Sequence, residues 1–299
     1  MSSHAPILLF TYNRLFETKK TVEALQDNIG ALDSDLIIFS DSAKNTDSIE
    51  SVTSVREYLK AVTGFKSVTI IERPENFGLA KSIITGVTEV IEKYKRVIVV
   101  EDDLLTSKNF LSYMNQALGF YENNPSVWSI SGFSFPITYP DDYNNDIAFG
   151  VRASSWGWAT WVGQWEKVDW DVLDYDDFIL DKNAQRKFKE GGSDLCKMLS
   201  DQMQGKINSW AIRFCYAQFR HKSVDVYPRV SKVQNIGFSE GASHTKGMGS
   251  RFTTIIDNSD TTDFTFSSNI SVDSSILSQF RKPFSIITRL KYKLLAYLK

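Results

Sequence analysis

The sequence predicts an α/β protein with a mostly parallel central sheet flanked by helices, and three observations support this prediction. Short apolar β-forming runs alternate with longer helical patterns in the first half of the chain, as in a series of βαβ units. Residues 97–100 are consecutively apolar, which is typical of a strand buried on both faces of a parallel sheet. Three acids, Glu101, Asp102 and Asp103, follow directly, at the strand end where open α/β sheets bind ligands.

The alternation can be followed element by element. The predicted strands are residues 7–11, 36–40, 68–72, 97–100 and 127–132. The predicted helices between them are residues 18–25, 51–62, 79–94 and 110–121. Farther along, the sequence predicts a helix at 212–220 followed by a strand at 224–228. Because a helix separates consecutive strands in the first half, those strands can lie parallel.

We expect the chain to divide into two lobes and a tail. Residues 1–132 form the first lobe, and residues 133–245 form a Trp-rich second lobe. Residues 246–275 are rich in Ser and Thr and predict a flexible linker. Residues 276–299 predict a basic amphipathic helix. Such a helix can lie on an anionic membrane or can dock on the protein's own core.

Composition and missing motifs exclude several functions. The formal net charge of -2 gives no general attraction to nucleic acid. The first strand is not followed by the glycine motif of dinucleotide-binding enzymes or by a P-loop. Cys196 and Cys215 are too few for a disulfide framework. We found no signal peptide pattern and no apolar stretch long enough to span a membrane, so we expect a cytoplasmic protein.

The three acids after the fourth strand predict a cation site. Carboxylates crowded at a strand end repel one another unless a cation or a hydrogen-bond network compensates them. A hard divalent ion such as Mg²⁺ or Mn²⁺, which also binds substrate phosphates, would explain both the acids and their position. The alternative is an ordinary acidic loop in which Asp102 or Asp103 caps the next helix.

Several segments in order resemble a glycosyltransferase of the GT-A fold, most closely the N-acetylglucosaminyltransferase I family and its bacterial, family 2-like relatives. The segments that carry the resemblance are residues 6–14, 39–41, 73–81, 101–103, 109–113, 124–131 and 156–158, with weaker similarity at 209–213 and 227–231. The resemblance covers about residues 5–240. It implies a metal-dependent enzyme that transfers a sugar from a nucleotide sugar, with UDP as the expected nucleotide and Mn²⁺ or Mg²⁺ as the cofactor.

The resemblance also implies donor-site roles. Asp103 would be the direct metal ligand, Asp102 would reach the metal through water or contact the ribose, and Glu101 would face the sugar or uridine. Asp41 would bind the uracil or ribose, although it could instead cap a helix. The remaining donor-site candidates are Thr11, Arg14, Asn76, Gly78 and Lys81.

Acceptor recognition is assigned to the second lobe. Trp156, Trp158 and Trp210 are the candidates for stacking on a sugar ring, with core packing as the alternative. His244 lies in a late loop where many GT-A enzymes place a further metal or diphosphate contact. A solvated surface histidine is the alternative for that residue.

The catalytic base is the point at which this sequence departs from the family. An inverting enzyme needs a carboxylate that removes the proton of the acceptor hydroxyl. Asn208 stands where the family has an aspartate, and an amide cannot be that base. Asp201 or Glu240 would take its place, or the enzyme would be retaining.

The predicted activity is therefore transfer of a sugar to a glycan or lipid-linked glycan, in the synthesis of a bacterial surface polysaccharide. The helix at the end of the chain would hold the enzyme at the inner face of the plasma membrane. Two alternatives remain open: a sugar nucleotidyltransferase, and a non-catalytic glycan-binding subunit of the same fold.

Overall fold

The computed structural model describes residues 4–237 and 249–297. Its strands are β1 (Ile7–Thr11), β2 (Asp35–Ser40), β3 (Ser67–Glu72), β4 (Arg96–Glu101), β5 (Leu104–Thr106), β6 (Val127–Ser131), β7 (Ile147–Gly150), β8 (Trp158–Trp161), β9 (Val224–Pro228) and β10 (Val233–Asn235). Its α-helices are α1 (Leu15–Gln26), α2 (Ile49–Leu59), α3 (Gly78–Tyr94), α4 (Phe110–Tyr121), α5 (Val162–Trp165), α6 (Tyr175–Leu180), α7 (Lys182–Phe188), α8 (Leu195–Met203), α9 (Trp210–Arg220), α10 (Ser274–Arg281) and α11 (Ile286–Tyr297). Short 3₁₀ turns lie at Ala31–Asp33, Thr46–Ser48, Lys189–Gly191, Gly249–Phe252 and Lys282–Phe284.

An eight-stranded sheet organises these elements in the order β3-β2-β1-β4-β8-β6-β9-β7. The first four strands are parallel, and so are β6 and β9. β8 runs antiparallel to both of its neighbours, and the edge strand β7 is antiparallel to β9. The predicted α/β fold with a mostly parallel sheet is confirmed. One detail differs, because β4 has a parallel neighbour on one side and an antiparallel one on the other.

Helices cover both faces of the sheet, which explains why its central strands read as continuous apolar runs. Along β1, Ile7 and Leu9 belong to the core that also contains residues of α1, α2 and α4. Leu8 and Phe10, on the opposite face, belong to the core shared with α3 and α9. All five residues of β1 are buried. The alternation of side chains along a strand therefore divides one apolar run between two cores.

The sheet is continuous across the predicted boundary at residue 132. Strands β7, β8 and β9 come from the predicted second lobe, yet they pair in the same sheet as the strands of the first. The segment predicted as a flexible linker also makes specific contacts over its described residues. Gln116 of α4 donates to the carbonyl of Thr262, and the hydroxyl of Tyr121 donates to that of Ser267 at 2.9 Å.

The tail is two helices rather than the predicted single one. Pro283, which cannot donate a backbone hydrogen bond, lies in the 3₁₀ turn between α10 and α11. In α10, Ile276 and Phe280 are buried against the core. In α11 the side chains of Ile287 and Leu294 are 82% and 64% exposed. Within the described ranges, no helix is both long and apolar enough to cross a membrane.

Candidate functional site

The acids predicted to form a site lie at one edge of the parallel part of the sheet. In the register of β1 with its neighbours, Phe10 pairs with Glu101, and Thr11 pairs with Ser40. The carboxyl ends of β1, β2 and β4 therefore coincide. Asp102 and Asp103 continue from β4 at this edge, and both are buried. This is the edge at which α/β sheets bind ligands.

Arg14, in the turn between β1 and α1, holds two of the acids together. Its Nη2 lies 2.5 Å from Oδ1 of Asp102, and its Nη1 lies 3.1 Å from Oδ2 of Asp103. The backbone N–H of Tyr12 donates to the other oxygen of Asp102 at 3.1 Å, and the hydroxyl of Thr21 donates to the Asp102 carbonyl at 2.9 Å. Arg14 is thus engaged with two carboxylates and is not a solvated surface cation.

One guanidinium does not compensate three carboxylates. Burial, together with the charges of Asp103 and Asp102, raises the pKa of Glu101 to about 8, and Arg14 opposes the shift. Burial also raises the pKa of Asp102 to about 6, against the opposing effect of Arg14. The pKa of Arg14 itself is raised, because the two nearby carboxylates outweigh the effect of burial. The cluster therefore favours an additional positive charge.

Asp103 has an oxygen suited to binding that charge. Its Oδ1 is buried and has no hydrogen-bond partner within the described ranges, although a buried carboxylate oxygen ordinarily has one. No three His, Cys, Asp or Glu side chains among those same residues are arranged to hold a metal by themselves. A site with one or two carboxylates that completes its shell with substrate phosphates and water is the arrangement preferred by Mg²⁺. The residues present fit such an ion.

A segment that the sequence analysis did not identify lies beside the cluster. β10 pairs antiparallel with β5, and the backbone N–H of Ile236 then donates to the Asp103 carbonyl at 2.8 Å. At Gly237 a Cβ would collide with the Asp103 carboxylate and would lie 2.9 Å from Nη1 of Arg14. Only glycine allows so close an approach here. The sole sequence signal was the Asn-Ile-Gly turn that ends this segment.

Asp41 is a helix cap, which was the alternative to its predicted role in binding uracil or ribose. Its two carboxylate oxygens accept four hydrogen bonds of 2.8 to 3.1 Å. The donors are the backbone N–H groups of Ser42, Phe77 and Gly78 and the side-chain amide of Asn76. A carboxylate has about four acceptor positions, and in this structure Ser42 and the start of α3 supply four donors to them. The contact of Asp41 with uracil or ribose stays a prediction.

Three other donor-site candidates, Thr11, Gly78 and Lys81, lie on the elements around this cap. Thr11 is buried, and its hydroxyl approaches the carbonyl of Phe39 at 3.5 Å. Gly78 has φ of +69°, as its predicted turn role required. Lys81 is exposed, 3.4 Å from a carboxylate oxygen of Glu75. The structure therefore brings Arg14, rather than these residues, to the acids.

Two of the three predicted acceptor tryptophans are core residues. The rings of Trp158 and Trp210 are stacked with centroids 4.9 Å apart, and Trp165 stacks on the other side of Trp158 at 5.9 Å. Trp158 is fully buried and Trp210 is 3% exposed. Both rings are therefore packed in the core, as the alternative to sugar stacking had it, and acceptor binding by these two residues stays a prediction.

Trp156 is placed differently. It is half-buried and packs edge-on against Phe133, with ring centroids 4.7 Å apart. Trp158 pairs with Val99, so the chain just before it leaves the sheet at the edge where β4 ends. Trp156 also lines a cavity of about 350 Å³. It is the predicted acceptor residue that the structure leaves in a position to meet a ligand.

Two of the candidates for the base, Asn208 and Asp201, lie near the start of α9. Asn208 precedes this helix, and its side-chain oxygen accepts from Arg213 at 3.3 Å. Asp201, on α8, is paired with Lys197 at 2.5 Å. The backbone N–H of Ser209 donates to Gln202 at 2.6 Å, so α8 and the start of α9 are joined. Glu240 and His244 lie outside the described residues.

A known protein family matches the first half of this chain. The model of the family described as "Glycosyl transferase family 2" matches residues 7–157, about half of the chain. No curated protein matches the chain.

Two solved structures are similar to the chain over part of its length. The mannosyltransferase PcManGT from Pyrobaculum calidifontis, solved with GDP-Man and Mn²⁺, is 16% identical over 56% of this chain and 46% of its own, with a TM-score of 0.41. S. aureus TarS is 10% identical over 76% of this chain and 36% of its own, with a TM-score of 0.40. The chain spans less than half of either protein. The matched half of the chain, which contains β1 to β4 and the acids at their ends, identifies the protein as a member of glycosyl transferase family 2.

Proposed function

We propose that this glycosyltransferase uses a nucleotide sugar whose diphosphate is bound, with a divalent ion, at the carboxyl edge formed by β1 and β4. The observation that supports this most strongly is the unpartnered, buried Oδ1 of Asp103. It lies beside a single arginine and two further carboxylates whose pKa values are raised. Such an arrangement is expected of a site completed by a cation.

Each residue of the cluster would have a separate role in binding the metal ion and the donor. Asp103 would hold Mn²⁺ or Mg²⁺, and the bound ion would supply Lewis-acid stabilisation of the departing diphosphate. Asp102 is fixed by Arg14 and the backbone of Tyr12, so it would orient Arg14 toward the phosphates. Glu101 would face the donor sugar.

UDP is the proposed nucleotide of the donor. Among glycosyltransferases, the N-acetylglucosaminyltransferase I family is the proposed relative of this chain. Both rest on the Glu-Asp-Asp sequence at the end of β4. Since Asp41 is saturated by the start of α3, other groups would contact the base. The hydroxyl of Tyr12, two residues before Arg14, is the nearest candidate along the chain.

The general base remains Asp201 or Glu240 in this proposal. Asp201 lies next to the start of α9, where the family places this group, and is 21% exposed at its side chain. Its partner Lys197 is exposed, and a surface ion pair of this kind is weak enough to be exchanged. Asp201→Asn should lower turnover at least about tenfold, or 1.4 kcal/mol of barrier, without altering donor affinity.

The acceptor would be a glycan or a lipid-linked glycan of a bacterial surface polysaccharide. Residues 274–297 contain five cations and no acid. The exposed apolar side chains of α11 include Ile286, Ile287 and Leu290. This combination suits the interface of an anionic membrane. We therefore place the enzyme at the cytoplasmic face of the plasma membrane.

A second candidate is a non-catalytic glycan-binding subunit, which is favoured by Asn208 at the position of the family's base. One assay separates the two functions. The protein is incubated with a panel of UDP-, GDP- and dTDP-sugars, with Mn²⁺, with Mg²⁺ or with a chelator, and nucleotide release is measured. Release that requires the metal and one class of donor supports the enzyme. No release from any donor, by a protein that still binds glycans, supports the second candidate.

A further inference from the structure

We propose that the cavity beside Trp156 binds the alkyl chain of a lipid-linked acceptor. This inference rests on the proposed function, and it specifies the acceptor as an amphipathic molecule rather than a free glycan. It assigns a role to a part of the chain that the family match at residues 7–157 leaves largely outside.

The lining of the cavity is suited to an apolar ligand. Its volume of about 350 Å³ lies within the usual range of ligand pockets, roughly 300–1,000 Å³. Aromatic side chains form much of its wall, including Phe133, Phe135, Phe252 and Phe280. A sugar needs polar partners at most of its hydroxyl groups, and this wall offers few. An alkyl chain needs only to be removed from water.

The charged residues on the wall leave the interior without a free charge. Arg152 makes two hydrogen bonds to Asp194, at 2.8 and 3.1 Å, and its guanidinium lies 3.8 Å from the ring centroid of Phe284. The pair is therefore neutral as a unit. Arg281 also lines the cavity, but it is exposed. Its charge can therefore stay in water, and the two arginines leave the interior of the cavity apolar.

The position of the cavity connects the sheet edge to the tail. On one side it is bounded by Trp156, which leaves the sheet where β4 and its acids end. On the other it is bounded by Phe280 of α10 and by Phe284. Phe284 precedes α11 by two residues and packs against Phe135, with ring centroids 5.7 Å apart. The cavity thus extends from the candidate catalytic edge to the foot of the exposed helix.

The exposed helix indicates where such a ligand would come from. Beyond Phe284, α11 exposes Leu290 and Leu294 at 56% and 64%, and it carries Arg289, Lys291 and Lys293. These groups complement the acyl chains and anionic headgroups of a bilayer. An acceptor held in that bilayer could place its chain in the cavity and its sugar near Trp156. Neither the cavity nor the exposed helix alone would define this route for the acceptor.

The test uses the full-length protein and a series of 1-alkyl phosphates of 4 to 12 carbons, below their micelle concentrations. Binding of radiolabelled dodecyl phosphate is measured by equilibrium dialysis, and the shorter members compete with it. We expect one binding site per chain and an affinity that rises up to about fourfold for each added methylene until the cavity is full. An affinity independent of chain length would overturn the proposal.

A cavity-filling variant locates the site. Ala211→Phe adds a ring to the cavity wall, whereas Ala61→Phe adds the same ring at an exposed position after α2. We expect Ala211→Phe to weaken dodecyl phosphate binding at least tenfold, with Ala61→Phe unchanged. Met198→Trp provides a second cavity variant if Ala211→Phe does not fold. Normal binding by a folded cavity variant would contradict the proposal.

The two proposals can fail separately, because this binding assay contains no donor and no metal. Metal-dependent nucleotide release together with a flat chain-length series would overturn the cavity assignment alone. Length-dependent binding blocked by Ala211→Phe would support the cavity assignment, and nucleotide release would then decide only the enzymatic function.

Discussion

Asp225 illustrates how burial sets the protonation of a single side chain away from the site. The residue is fully buried in β9, and its only described side-chain donor at Oδ1 is the hydroxyl of Ser129. Burial raises its pKa to about 8, although the hydrogen bond from Ser129 acts in the opposite direction. In the unfolded chain an aspartate has a pKa of about 3.9. The folded state therefore keeps a proton that the unfolded state loses over this interval.

The sign of the resulting pH dependence follows directly. The stability contributed by Asp225 is complete below pH of about 4 and is lost as the pH rises toward about 8. Asp225→Asn removes this titration, so its free energy of unfolding should fall less steeply, by up to about 1.4 kcal/mol per pH unit. Urea denaturation at pH 5, 6, 7 and 8 measures the difference. Exposed Asp177→Asn is the control, and parallel curves for all three proteins would show that Asp225 is ionised in the fold.

The positions of individual residues could be predicted from the sequence where they depend on neighbouring residues in the chain. The three acids after β4 were identifiable because acids at the end of an apolar run are conspicuous, and Arg14 was identifiable from its position after the first strand. The hydrogen-bond donors to Asp41 could not be predicted, because they belong to the start of α3, some 35 residues away. Gly237 was missed because its role depends on contact with Asp103, which no local pattern records.

At the scale of the element, Asp41 provides a test of how α3 begins. Removing its carboxylate leaves the N–H groups of Phe77 and Gly78 without their acceptor. Asp41→Ala should cost about 1–2 kcal/mol, as for other helix caps, and lower the melting temperature by a few degrees. Thermal denaturation checks this. The control is Asp181→Ala, which removes the cap of the short surface helix α7.

The same variant separates the two roles considered for Asp41. If it is a cap, donor affinity in a folded Asp41→Ala protein should change by less than about threefold, or 0.7 kcal/mol. An Asp41→Ala protein with unchanged stability but much weaker UDP binding would show instead that Asp41 contacts the nucleoside.

The helix α11 provides a second test at this scale. Ile287→Glu places a negative charge on its exposed apolar face, which should oppose insertion among anionic headgroups. We expect sedimentation with phosphatidylglycerol vesicles at low salt to fall at least fivefold. Leu180→Glu is the matched control, because Leu180 is 79% exposed on a different helix. Equal sedimentation of the two variants would exclude α11 as the contact.

The limits of prediction differ between the two halves of the chain. Strand and helix positions from β1 to β6 were close to those observed, because βαβ units repeat a simple apolar pattern. The tail was predicted as one basic amphipathic helix over residues 276–299. Tertiary packing decides that α10 belongs to the core through Ile276 and Phe280, whereas α11 remains exposed.

At the scale of the whole molecule, one sheet joins the regions that were predicted as separate lobes. β4 pairs with β8, so the edge with the acids and the segment that carries Trp156 are held by the same framework. The buried stack of Trp158, Trp165 and Trp210 then fixes α9 against β8. Periodicity could not predict this arrangement, since the antiparallel insertion of β8 depends on pairing between strands far apart in sequence.

The central claim is that Asp103 binds a divalent ion together with the donor's diphosphate. The most direct measurement is calorimetric titration of UDP, with and without Mn²⁺, into the unmodified protein, Asp103→Asn and the control Asp177→Asn. We expect Mn²⁺ to strengthen UDP binding at least tenfold, or 1.4 kcal/mol, in the unmodified protein and the control. In Asp103→Asn that gain should disappear while metal-free binding and folding persist. An undiminished effect of Mn²⁺ on a folded Asp103→Asn protein would contradict the claim.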